Sequence, residues 1–505
     1  MHLAVEPQLF PPVSRIFGIS DGGNVLRFDV VIIGAGVIGS MLARQLSRYN
    51  LRVCVLEKEN DVAMGASKAN SGIIHGGFDP VPGTLKAKLN SAGVEALFEA
   101  AQQLNVPCIR NGSMVCAFSQ DDEQILDELL KQGLENGIPN LYIITGDEAR
   151  MLEPYLSEEI TKVLYVPNAG VISPYELVIA AIGNAMDNGV ALKRNFDVVN
   201  ISKSGEMFTI NALNGEVVEA NYIVNCAGGY SDRIAKMVGD DFFTVIPRAG
   251  EYLLLDKTEG FRAKHTLFQC PSSNGKGVLV SPTAHGNLLI GPNATVVSSP
   301  DSVDTTVDGL EEVMELAKKT VPSVNYRQVI TSFTGVRASN NNGDFILQPS
   351  DNYPGIIHAG AIDSPGLTCC VSIADFIIDL LQEEGLVLEQ KVDWNGFRKS
   401  PCSFRDLSDE EKNERIQVDP SFGKIVCRCE NVSEGEIIQA IRQNPGAVDL
   451  DGVKRRTRSG LGRCQGGFCG PYVMQLLSRE MMIPMECVTK FGKGSEMLVR
   501  GSDDQ

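Results

Sequence analysis

FDVVIIGAGVIG (residues 28–39) is an apolar, β-branched run that breaks into a glycine-rich turn. The apolar part predicts a fully buried strand. Gly34, Gly36 and Gly39 follow as GxGxxG. In that pattern the first glycine permits the turn, the second lets backbone approach a pyrophosphate, and the third packs helix on sheet. VIGSMLARQLSRY then predicts a helix and RVCVLEK a second strand, closing a βαβ unit. Glu57 ends that strand, about twenty residues on, where an acid accepts hydrogen bonds from both ribose hydroxyls. The helix N-terminus supplies backbone donors and partial positive charge to the phosphates. The unit predicts a dinucleotide site.

Three further glycine-rich segments favour extended FAD over a nicotinamide cofactor. MGASKANSGIIHGGFDPVPGTLKAKLN (residues 64–90) carries Ser71, Gly72 and His75 in a loop able to wrap the pyrophosphate and reach the flavin ring. YIVNCAGGYSDRIA (222–235) puts Ala227 and Gly228 at a strand end, facing the cofactor. GAIDSPGLT (360–368) places Ser364, Gly366, Leu367 and Thr368 before a helix whose N-terminal amides would favour negative charge on a reduced ring. No second GxGxxG occurs, which argues against direct NAD reduction.

Near the C-terminus, VCRC (426–429) and GRCQGGFC (462–469) present Cys427, Cys429, Cys464 and Cys469. Two close-spaced thiol pairs suit a [2Fe–2S] cluster, each iron taking two thiolates and each short spacer letting two sulfurs converge. Zinc is the rival, since four thiolates also satisfy a tetrahedral ion. Of the remaining cysteines, Cys54, Cys108, Cys116, Cys226, Cys270, Cys369 and Cys370 read as reduced packing residues, and Cys402 and Cys487 stay unassigned. Five cations in VKRRTRSGLGR (453–463) read equally as a solvated basic face or as cluster-charge compensation and a docking patch. A flavin and a one-electron relay on one chain point to a dehydrogenase that hands electrons singly to a protein.

The chain has 505 residues, 43% of them apolar, enough for two or three cored domains. A net charge of −18 argues against nucleic acid and anionic membranes. The N-terminal segment contains Glu6, Pro11 and Pro12 and no continuous apolar core, unlike a signal peptide. No window predicts a spanning helix. A cytoplasmic protein is expected, at most peripheral to a membrane through a partner. The expected division is a flexible extension (1–27), an oxidoreductase unit (28–395), a charged linker (396–424), the cysteine module (425–480) and a tail (481–505).

Beyond the motifs, the chain resembles the FAD-dependent glycerol-3-phosphate dehydrogenase and L-2-hydroxyglutarate oxidase branch of the D-amino-acid oxidase superfamily, through NSGIIHGGF, PGTLKAKLN, PRAGEYLLLD, GVLVSPTAHGNLLIGPNA, FTGVRAS and IDSPGLT. VCRCENVSEGEI and GRCQGGFCG resemble a [2Fe–2S] domain of the bacterioferritin-associated-ferredoxin (BFD) type. The fold implied is α/β: a Rossmann-like FAD-binding domain, an interleaved antiparallel-sheet substrate domain of the glutathione-reductase-2 type, and a small helical C-terminal module. The resemblance implies a small anionic substrate, FAD and [2Fe–2S] as cofactors, and an electron-accepting flavoprotein or membrane-associated subunit as partner. Glycerol 3-phosphate is the first substrate implied, a 2-hydroxy acid or amino acid the alternative, and a non-catalytic electron-transfer subunit a third reading. Phe78–Asp79 and Leu279 depart from the aromatic pair and histidine usual in hydroxyglutarate enzymes. The resemblance places Arg337 above the ring as anion anchor, able to grip phosphate or carboxylate bidentately. Arg248 and Tyr252 are secondary substrate contacts. Histidine suits accepting a hydroxyl proton near neutrality, which makes His75, beside the flavin loop, and His285, in a substrate-domain turn, the candidate bases.

Overall fold

The computed structural model describes residues 25–271, 277–399 and 403–498. Leu26–Ile33 is the strand expected at the start of the βαβ unit, with Val30–Ile33 buried. It pairs in parallel with Val53–Leu56 on one side and Val217–Asn225 on the other. Parallel additions of Ala191–Lys193 and Ile356–Gly360 widen this sheet. Burial on both faces explains why its strands read as unbroken apolar runs. One face is covered by the helices Val37–Leu46, Leu85–Leu104, Pro174–Asp187 and Cys370–Glu383, which share one large apolar core.

The second sheet is the antiparallel one foreseen for the substrate side. Its spine is the long pair Ile246–Leu255 and Val329–Ser339, extended through Leu288–Gly291, Leu279–Pro282 and Thr266–Gln269. Ser113–Ala117 joins Thr266–Gln269 in parallel. Arg248 lies opposite Arg337 and Tyr252 opposite Phe333 in the spine's register. Because the chain crosses between the two sheets repeatedly, the cleft between them draws residues from segments between Ile33 and Leu367.

The C-terminal module is mainly helical. A short ladder, Ile425–Cys427 with Val432–Ser433, precedes helices Glu434–Arg442, Leu450–Thr457 and Gly470–Met481 around Ile437, Val453, Val473 and Leu477. Ser433 and Glu436 form a capping box at the first helix. The preceding segment holds a helix, Asp409–Val418, and buried Phe404 and Phe422. Residues 1–24, most of the expected extension, lie outside the described residues, as do Cys402 and residues 499–505 of the expected tail. Among the described residues no helix is long and apolar enough to cross a membrane.

Three cations of the basic run before Cys464 depart from the solvated-face reading: Arg455, Arg456 and Arg458 are buried where the module meets the rest of the chain, while Arg463 is exposed. Arg455 donates to Asp61 at 2.6 Å, and Arg456 donates to both Asp61 oxygens at 2.8 Å. Asn60 donates to Asp449 at 2.6 Å beside them. Asp61 is fully buried. Burial opposes its ionisation, but Arg456 and Arg455 outweigh burial and hold the carboxyl well below the usual carboxylate range.

Asp61→Ala strands buried guanidinium charge, and breaking such a pair costs about 3–5 kcal/mol. Urea denaturation is expected to show that loss, with early protease release of the module. In wild type the contribution is complete above the ordinary carboxylate pKa of about 4 and is lost as pH falls below it. The variant is expected to lack that acid-side dependence.

Candidate active site

The dinucleotide turn is built by close approach. Gly34 has φ +107°, and a Cβ there would sit 2.4 Å from the Cys226 carbonyl oxygen. A Cβ on Gly39 would fall 2.0 Å from the Gly34 carbonyl oxygen. Gly36 caps the helix Val37–Leu46, and the Val37 N–H donates to the Ser67 hydroxyl at 2.9 Å. Ser67 therefore sets a hydroxyl at the helix N-terminus, where a pyrophosphate would lie. Sequence reasoning covered its loop but did not single it out.

Glu57 follows the second strand. Its carboxylate accepts from the Ala35 N–H at 2.8 Å and the Glu59 N–H at 3.0 Å. Burial pushes its pKa up to about 7, against the lowering effect of those two N–H groups. An acid buried at this cost at the cleft edge fits a ligand bearing hydroxyl donors.

The cleft has a volume of about 2550 Å³, several times a small-molecule pocket of ~300–1,000 Å³, so it can hold an extended dinucleotide and a substrate together. Gly34, Gly36, Glu57, Ser71, Gly72, Ala227, Gly228, Ser364, Gly366 and Leu367 line it; so do His75, Arg248, Tyr252, His285 and Arg337. Gly39 and Thr368 stand behind its wall. The described residues thus bring nearly every expected FAD and substrate residue to one cavity.

His75 joins two of the glycine-rich segments. Its N–H donates to the Thr368 hydroxyl at 2.9 Å, its Nε2 stands 3.2 Å from the Ser364 hydroxyl, and its ring stacks on Phe268 with centroids 5.9 Å apart. Arg337 donates to the Asn293 carbonyl at 2.9 Å and pairs with no carboxylate among the described residues. Tyr252 stacks on Phe333 at 4.8 Å with its hydroxyl 3.2 Å from that of Ser71. Burial raises the Tyr252 pKa, partly offset by Arg337. Arg248 is exposed on the cleft rim. Lys86 also lines the cleft, tied to Asp363 at 2.6 Å.

His285 answers to a different wall. Its Nε2 lies 2.6 Å from Glu176, in the first turn of Pro174–Asp187, and Asn287 beyond it accepts from Arg458 of the C-terminal module at 3.0 Å. Arg458 and Leu461 line the cleft as well. That the module closes part of the cavity was not visible in the sequence, because no local pattern marks it. His265 is held by Glu153 at 2.6 Å, and His358 is fully buried against Asp240 at 2.9 Å. Both are packing histidines.

Four module thiols gather in two pairs. Cys429 and Cys464 are 3.5 Å apart at Sγ, and Cys427 shares a hydrogen bond with Cys469. Each pair thus joins one cysteine from each motif, where the sequence reading converged the two thiols within a motif. The Cys469 thiol, followed by backbone N–H groups of Gly460 and Glu430, brings the Cys427 pKa down to about 5. The same hydrogen bond pushes Cys469 up, so the inner pair holds one proton between two sulfurs; two convergent thiol pairs fit a two-iron cluster. Elsewhere burial pushes thiols up, Cys54 to about 12, which keeps them protonated and inert.

The family model for FAD-dependent oxidoreductases (DAO) matches residues 29–380, and that for the BFD-like [2Fe–2S] binding domain matches residues 425–479. A glycerol 3-phosphate dehydrogenase of Caloramator mitchellensis is 45% identical over 93% of this chain and 98% of its own. The human mitochondrial L-2-hydroxyglutarate dehydrogenase is 27% identical over 72% of this chain and 91% of its own. The structure of dithionite-reduced L-alpha-glycerophosphate oxidase from Mycoplasma pneumoniae with FAD bound superposes with a TM-score of 0.72 at 31% identity, covering 74% of this chain and 99% of that one.

Fold and cleft define a flavin-dependent oxidoreductase joined to an iron–sulfur module. More particularly, the chain belongs to the DAO family of FAD-dependent oxidoreductases; its cofactors are FAD and a [2Fe–2S] cluster.

With Glu57 as the ribose acceptor, FAD binding couples to its ionisation. The apoprotein favours protonated Glu57, so its stability falls as pH rises from about 4 to about 7. Hydroxyl donors favour the ionised form, so FAD affinity is expected to rise across that interval. Fluorescence titration of the apoprotein between about pH 5.5 and about pH 7.5 measures it. Glu57→Gln is expected to bind FAD more weakly and without the slope.

Proposed function

We propose that this enzyme oxidises sn-glycerol 3-phosphate to dihydroxyacetone phosphate and hands the electrons on, through its own iron–sulfur module, to a partner protein or quinone system. Arg337 carries the reading: a guanidinium in the cleft with no carboxylate partner among the described residues, held by the Asn293 carbonyl so that its remaining N–H groups are free for an anion. The name of the 45% identical relative supports glycerol 3-phosphate as that anion's owner.

Arg337 binds the phosphate bidentately, with Arg248 adding positive potential from the rim. Tyr252 and Ser71 bound the pocket and supply hydroxyls to orient the substrate. His75 accepts the proton of the substrate hydroxyl, held in place by Thr368 at its backbone, Phe268 on its ring and Ser364 at Nε2. When bound, FAD supplies the two-electron hydride acceptor and the cluster a one-electron relay. The proposed cluster ligands are Cys427, Cys429, Cys464 and Cys469. His285, bound by Glu176 against the module, is assigned to holding that wall rather than to proton transfer.

Anaerobic mixing with glycerol 3-phosphate is expected to bleach the flavin. Bleaching by L-2-hydroxyglutarate alone would reassign Arg337 to a carboxylate, and bleaching by neither would overturn both substrate readings. His75→Asn is expected to slow bleaching roughly 10²- to 10⁴-fold at saturating substrate. Arg337→Gln removes a charge-assisted contact of about 1.5–3 kcal/mol, so half-saturation is expected to rise roughly 10- to 100-fold.

A further inference from the structure

The two thiol pairs sit in unlike surroundings. Cys427 and Cys469 are 1% and 3% exposed, whereas Cys429 is exposed and Cys464 partly so. The inner pair is backed by the turn after Arg458: the Gly460 N–H and the Ser459 hydroxyl lie against Cys427, and Leu461 of the same turn lines the cleft. The outer pair faces solvent. Thiol pairing across the motifs, rather than within them, creates this inner end and outer end.

What surrounds the outer end is unusual for this chain. Phe468, in the Gly-rich loop between Cys464 and Cys469, is 89% exposed. Arg428 and Arg463, each next to an outer thiol, are exposed too. Glu430, the sole carboxylate within residues 425–433 and 461–470, is buried and neutralised by Arg458 at 2.9 Å, Lys257 at 2.8 Å and Arg405 at 3.3 Å. On a protein of net charge −18, the patch is locally positive around a bare aromatic ring. Aromatic and arginine side chains are what interface centres favour.

Resting on the dehydrogenase reading above, we infer that the face formed by Phe468, Arg428 and Arg463 over the Cys429–Cys464 pair is the docking surface for a one-electron acceptor protein with an acidic face. Charge complementarity selects that occupant: the molecule's general negative charge repels an acidic protein everywhere else and orients it onto this patch. Each CH–OH oxidised to C=O releases two electrons and two protons. The electrons reduce two acceptor molecules in turn, and the protons pass to solvent.

The test uses the intact holoenzyme and two haem proteins of opposite surface charge, acidic cytochrome b5 and basic cytochrome c. The enzyme is reduced anaerobically with glycerol 3-phosphate, or with stoichiometric dithionite should that substrate fail to bleach the flavin, so failure of the substrate assignment stays separate. Cytochrome b5 reduction is expected to slow as salt rises, and cytochrome c reduction is not. Arg428→Glu with Arg463→Glu, and separately Phe468→Ala, are expected to lower the cytochrome b5 rate about tenfold. They should weaken binding of oxidised cytochrome b5 without substrate by a similar factor, leaving flavin bleaching and the cluster's electron-paramagnetic signal unchanged. All three side chains are exposed; Arg463 also donates to Gln328, so Arg428→Glu alone is the control that keeps that contact. Unchanged cytochrome b5 binding and reduction in these variants overturns the inference. Binding to phosphatidylglycerol or phosphatidylcholine vesicles, or self-association in sedimentation, that the same changes abolish while cytochrome b5 is unaffected also overturns it, giving the face to a membrane or a second copy.

Discussion

The buried carboxylate of Asp61 joins the two cofactor-binding parts of this chain. It lies four residues after Glu57, so one short segment leaving the strand Val53–Leu56 sets a buried acid at the cleft edge on one side and the anchor for Arg455 and Arg456 on the other. Desolvating three charges together is costly unless every charge is met, and here both Asp61 oxygens are. The geometry gives the module one seat. From that seat Arg458 reaches Asn287 and Leu461 reaches the cleft. The module is therefore a wall of the cavity, and the distance between the two cofactor sites is fixed by packing rather than by linker length.

The second constraint is the register of the long antiparallel pair. Placing Arg337 opposite Arg248 and Phe333 opposite Tyr252 puts two cations and two aromatic rings on one stretch of sheet. A shift of one residue would turn every one of these side chains to the other face. Like charges opposite each other disfavour the pairing unless something negative comes between or near them. The sheet stores that mild repulsion at the cleft mouth, which is consistent with an anion as the natural occupant. Across the cleft, His75 is reached by Ser364 and Thr368 from a segment nearly three hundred residues later.

Legibility in the sequence followed the range of the interactions. The βαβ unit and its glycines were readable because strand, turn and helix are local and Gly34 and Gly39 admit no side chain. The four cysteines were readable from spacing. The burial of Arg455 and Arg456 was not legible because their partner, Asp61, lies almost four hundred residues away and nothing near the run announces it. His285 was equally opaque. Its turn looks like substrate-domain surface until Glu176 and the module close on it. Ser67 was hidden by abundance, one hydroxyl among several in a polar loop.

Spacing also cannot say which thiols face each other. CxC and CxxxxC suggest that each motif serves one iron, since short loops converge cheaply. The module does otherwise: a Cβ on Gly462 would meet the Cys429 Cβ at 2.4 Å, so the two loops are pressed face to face at that point. Once the loops face each other, the thiol of one motif meets that of the other. One pair then lies against the module's core and the other at its surface. Pairing within motifs would have put one buried and one exposed thiol on each side, with little to tell the two ends apart. Face-to-face loops instead separate them by solvent exposure, and with exposure come different dielectric and hydrogen bonding around each pair. The two unlike ends thus arise from a packing choice: a side chain omitted at position 462.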